Sequence, residues 1–127
     1  MDDVSAQPSV PVLLGFLAGH PIGKIHEIRV WCGHCCAWHI HGVEPWAAPG
    51  TKALRLAHCF APRSPYKETG YCIEVGYAAY EDVRKQVRSA TTGQQLLLAQ
   101  GRVTPGIEKM RTQRPPVDVR PRESAQV

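Results

Sequence analysis

The sequence predicts an α+β fold: a small antiparallel β-sheet, followed by C-terminal helices and a disordered tail. Three observations carry that expectation. Short segments rich in β-branched and aromatic residues occupy the first part of the chain, a charged stretch with helical spacing follows them, and proline and arginine mark the end. At 127 residues there is room for one small domain with tails. Eleven Pro beside 11 Gly leave only a modest core, and a core of that size often needs a staple.

Residues 1–9 read as a disordered lead-in, 10–100 as the domain and 101–127 as a basic, Pro-containing tail. Val10 to Leu17 is apolar enough for a buried strand or a short arm, and Gly19 to Gly23 is turn chemistry. Ile25 to Trp31 mixes β-branched, aromatic and polar residues, as a half-buried strand does. Ala37 to Val43 reads as the strand that returns from it, completing a hairpin. Pro45 to Gly50 is a loop, Lys52 to His58 a third strand, and Tyr71 to Tyr77 a fourth. Tyr80, Val83, Val87 and Ala90 recur at helical spacing, which predicts an amphipathic helix over about 79–90. Thr92 with Gln95 fits a capping box for a second helix through Gln100, and Thr104-Pro105 can start one more turn.

Chemistry concentrates in one place. Four of the five cysteines and four of the six histidines lie between Cys32 and Cys59. Cys32 and Cys35 make a C-x-x-C pair at a strand end, His39 and His41 an H-x-H pair behind it, and His58-Cys59 a later return. Thiolate and imidazole are the ligands Zn²⁺ selects in tetrahedral sites, so the pattern implies a zinc knuckle within a zinc-ribbon-like sheet. Cys32, Cys35 and Cys59 are the first three expected ligands. For the fourth, His41 competes with His39 and His58, and Gly42 behind His41 favours it by allowing a local bend. A histidine left out can hydrogen-bond a ligand. His34 is expected to face solvent, Cys36 and Cys72 to be packed or half-exposed thiols, and Trp31, Trp38 and Trp46 to shield the cluster. A thioredoxin-type redox pair fits less well, because the residues after the motif look like a strand and not a helix.

The set Cys32/Cys35, His39/His41/Gly42, His58/Cys59, and Ser64-Pro65-Tyr66 with Gly70-Tyr71 resembles a family of small uncharacterised zinc-binding proteins from actinobacteria, their mobile elements and phages. The resemblance covers residues 28–75. It implies a zinc-stabilised small domain and no particular reaction. Cys36 departs from the polar or glycine residue usual after the second cysteine, and so competes as a ligand.

Charge and motif narrow the function. Most of the net +4 sits in residues 101–127, where Arg102, Lys109, Arg111, Arg114, Arg120 and Arg122 face only Glu108, Asp118 and Glu123. Such a tail suits weak attraction to DNA or RNA, or to an acidic protein surface. An acidic Met1-Asp2-Asp3, an odd cysteine count and no apolar run of membrane length lead us to expect a cytoplasmic protein with reduced thiols and no membrane partner. The sequence contains neither H-E-x-x-H nor the deaminase pattern. The leading expectation is therefore a non-enzymatic zinc-binding module that binds nucleic acid weakly. A protein–protein adaptor is the second reading. A metal-dependent hydrolase or nuclease, with two of the spare histidines as acid/base and Glu44 or Glu27 nearby, is the third.

Overall fold

In the computed structural model, which describes residues 9–19 and 27–120, five strands form one mixed sheet in the order β3-β2-β1-β5-β4. The strands are β1 (Val12–Ala18), β2 (Glu27–Cys32), β3 (Ala37–Gly42), β4 (Lys52–Arg55) and β5 (Tyr71–Ala79). The fold is α+β as expected, but the sheet is not purely antiparallel, because β1 pairs with β5 in parallel. That pairing joins strands more than fifty residues apart in sequence, beyond the reach of any local pattern. The turn expected between β1 and β2 falls mostly on residues 20–26, outside the described residues.

The β2–β3 register fixes which side chains share a face. Ile28 lies opposite His41, Val30 opposite His39 and Cys32 opposite Ala37, while Trp31 lies opposite Trp38 on the other side. The first face closes on Ile28, Val30, Tyr71, Ile73 and Val75 and leads into Cys32, Cys35, Ala37 and Ala61. Gly15 of β1 sits at its centre. A Cβ there would lie 2.6 Å from Ile73 and 2.7 Å from Ile28, so only glycine lets these side chains meet.

Helices cover the second face. These are α2 (Tyr80–Val83), α3 (Thr92–Ala99) and α4 (Pro105–Arg111), while α1 (Tyr66–Thr69) precedes β5. The amphipathic helix expected over 79–90 is cut short. After α2 and a 3₁₀ turn at Arg84–Gln86, Val87 is extended, and the Ala90 N–H donates to the Cys36 carbonyl at 2.8 Å. Val83, Val87 and Ala90 are all buried, so their spacing marked burial and not helix. The capping box of α3 uses Thr91 and Gln94, one residue ahead of the expected Thr92 and Gln95. Thr104 caps α4 through its side chain, with Pro105 in the first turn. The third strand ends at Arg55, short of His58.

The chain after residue 100 packs as far as it is described. Ile107 of α4 is fully buried beside Trp31 and Leu98. Residues 113–120 then run back as a strap. Gln86 exchanges two bonds with the Val117 backbone, and Asp118 accepts from the N–H groups of Tyr77 and Ala78 at 3.1 and 2.9 Å. Gly76 admits that carboxylate, since a Cβ there would stand 2.9 Å from it. Among the described residues no helix is long and apolar enough to cross a membrane.

Candidate metal centre

The C-x-x-C hairpin positions the site. Residues Gly33 to Cys36 turn between β2 and β3, with Cys36 in the left-handed region (φ 53°) where glycine is usual. One ligand atom from each of Cys32, Cys35, His39 and Cys59 lies within 4.8 Å of the others, a group that could hold a metal ion. Cys32, Cys35 and His39 are buried and Cys59 is half-buried. The Cys59 Sγ lies 3.7 Å from the Cys32 Sγ and 3.6 Å from the His39 Nε2.

The fourth member of the group is His39, where the sequence favoured His41. The register gives the reason. With Cys32 opposite Ala37, His39 is the diagonal neighbour of Cys32, within reach of a long side chain. His41 lies two residues further along the same face, roughly 6–7 Å more. There its Nε2 shares a 2.6 Å hydrogen bond with the Tyr71 hydroxyl, and its ring tilts against His58 with centroids 4.9 Å apart. Burial pushes His41 down to about 4, aided by the charges of His58, His39 and Arg55, so this imidazole is neutral. His58 is exposed.

The charges within the group follow from its hydrogen bonds. Bonds from Cys32 and Cys35 hold the Cys59 thiol far below its ordinary range, with Ser64 Oγ donating to the same sulfur at 3.1 Å. Cys32 is pushed up in return, by its bonds to Cys35 and Cys59 and by burial. Burial works against a charged His39, yet bonds to Cys35 and Cys59 outweigh it and push the ring up to about 9. A Cys59 thiolate and a His39 imidazolium thus sit beside a protonated Cys32 thiol. A divalent cation would take over the role of those protons. The Ala61 N–H donates to the Cys35 Sγ at 3.5 Å, a backbone–sulfur bond that also suits a thiolate.

The remaining residues singled out by sequence lie elsewhere. The Cys36 sulfur belongs to the opposite core with Trp31, Val87 and Leu98. Cys72 is half-buried on β5. His34 is half-buried and meets Tyr66 edge-on at 5.0 Å, where an exposed position was expected. Trp31 and Trp38 pack edge to face at 5.6 Å on the far side of the hairpin, whereas Trp46 is 78 % exposed and shields nothing. Glu27 pairs with Arg29 and Glu44 with Arg55, and neither joins the group. Sequence reasoning gave no role to Ser64 or Tyr71. Their only signal was the Ser-Pro-Tyr and Gly-Tyr segments shortly after Cys59. Compared with known protein families, with curated proteins and with solved structures, the chain matches none.

Proposed function

We propose that the chain is a non-enzymatic binding module in which Cys32, Cys35, His39 and Cys59 hold one structural Zn²⁺. The observation that carries this reading is metric. With Zn–S near 2.3 Å and Zn–N near 2.05 Å, a tetrahedron has S···S edges of about 3.8 Å and S···N edges of about 3.6 Å. The separations of 3.7 and 3.6 Å about Cys59 match both. Three sulfurs and one imidazole are a zinc donor set, and four protein ligands leave no open position for a reacting water. Purified protein should contain one zinc per chain, with three sulfurs and one nitrogen by X-ray absorption. Fully folded protein without metal would overturn it.

Nucleic acid is the partner that charge favours. Arg102, Lys109 and Arg114 are exposed and have no carboxylate within ion-pair distance among the described residues. Neutralising two or three phosphates gives weak binding whose logarithm falls with log salt at a slope of about −2 to −3. Binding without salt dependence, or none to DNA or RNA, would leave the adaptor reading in its place.

A further inference from the structure

Behind the C-x-x-C turn lies a cleft of about 570 Å³, within the range of small-molecule sites. Val12, Leu14, Phe16 and Trp31 line its apolar side. At its polar side stands Arg111 of α4, whose Nε–H donates to the His34 carbonyl at 3.1 Å. That bond fixes the plane of the guanidinium. Among the described residues neither terminal nitrogen of Arg111 has a hydrogen-bond partner, and no carboxylate lies within ion-pair distance. Pro115 and Pro116 of the strap form the facing wall. Gln113 anchors that wall by accepting from the Arg88 N–H at 2.6 Å and donating to the Arg88 carbonyl at 2.9 Å.

We infer that this cleft is a binding site for a small amphipathic carboxylate, its apolar body against β1 and Trp31 and its carboxylate on Arg111. The class follows from the lining. One oriented guanidinium with two unused nitrogens matches the paired oxygens of a carboxylate, which it can bind through parallel N–H···O bonds. An apolar wall offers no partner to inorganic phosphate and would strip water from a polyanionic backbone without replacing it. The walls are tied down before any ligand arrives, which lowers the ordering cost of binding.

The test uses decanoate as probe, below its micellar concentration, on the full chain as purified. Calorimetry should give one saturable site, and NMR should show shifts at Gly33 and at the Arg111 Nε–H. Decanol, with the same chain and no charge, should bind at least about tenfold more weakly. Arg111→Gln, which can keep a bond to the His34 carbonyl, should cost decanoate a similar factor and leave decanol unchanged. Leu14→Trp, which fills the cleft from an exposed strand position, should weaken both. Arg111→Lys keeps the charge but not the fork and should fall between wild type and Arg111→Gln. Non-saturable binding overturns the assignment. So does decanoate affinity that is the same in wild type, Leu14→Trp and whichever Arg111 variant folds.

Discussion

The two faces of the β2–β3 hairpin are made from alternate residues of the same twelve positions, yet they are held together differently. On one face Trp31 and Trp38 pack edge to face, and Phe16 and Tyr80 meet Trp38 in the same way at 6.3 and 5.1 Å. Those contacts are apolar burial plus about 0.5–1.5 kcal/mol for each aromatic pair, and they need no ion. On the other face Cys32, His39 and His41 stand where further core residues would. Polar and ionisable groups shut away from water stabilise a fold only when every charge is matched. The aromatic face rests on packing, with Arg29 Nε and Trp31 Nε1 buried in it without a hydrogen-bond partner, whereas the Cys/His face depends on what neutralises it.

Removing one of the proposed ligands should have the largest effect. Cys35→Ser or His39→Ala is expected to abolish stoichiometric zinc and lower Tm by more than about 10 °C, since structural zinc in small domains is worth roughly 10–16 kcal/mol in apparent binding. Near-UV circular dichroism of the tryptophans sharpens the comparison: if their signal survives chelation, the aromatic face stands without the metal. Next comes Trp31→Ala, with a cost of about 3–5 kcal/mol in chemical denaturation and an unchanged zinc content. Zinc lost along with it would mean the two faces form a single unit.

His41→Ala separates the two histidines of H-x-H. It should retain zinc and cost about 1–3 kcal/mol, because the buried Tyr71 hydroxyl loses its partner. Metal release equal to that of His39→Ala would restore His41 as the ligand. Asp118→Ala removes the acceptor for two backbone N–H groups and should cost about 1–2 kcal/mol, with faster proteolysis of the strap as the readout. The smallest change is Cys36→Gly. Relief of the left-handed backbone offsets the lost burial of one thiol, so the net should stay within about 1 kcal/mol by thermal melt, with zinc unaffected.

What could be read from the sequence divides along physical lines. The strands were visible where β-branched and aromatic residues cluster, as at Tyr71–Ala79. The concentration of Cys32, Cys35 and Cys59 was visible because ligand spacing is local or nearly so. That His39, and not His41, lies beside the three cysteines follows from the register: once Cys32 pairs with Ala37, distance along the strand separates the two histidines. Two features were out of reach. The parallel β1–β5 pairing depends on long-range packing, and beyond the broken helix the Ala90 N–H donates to the Cys36 carbonyl while Gln113 exchanges two bonds with the Arg88 backbone, all partners distant in sequence. The packed strap was missed for a related reason, since its anchors are side chains of Gln86, Gln113 and Asp118 acting on distant backbone.

One arginine bears on how the protein behaves at high concentration. Arg55 donates to the Leu54 carbonyl at 2.9 Å in β4 and to the Gly42 carbonyl at 3.4 Å in β3, and pairs with Glu44 at 3.6 Å. β3 and β4 are the two outer strands of the sheet, whose unpaired backbone groups would otherwise invite another chain to add on. A single cation therefore spans both borders and uses up one carbonyl from each. With Leu54 and Leu56 exposed nearby, loss of this guanidinium would leave a sticky seam where strands of neighbouring molecules could join. Arg55, in the shortest strand of the sheet, thus guards one point on each open edge.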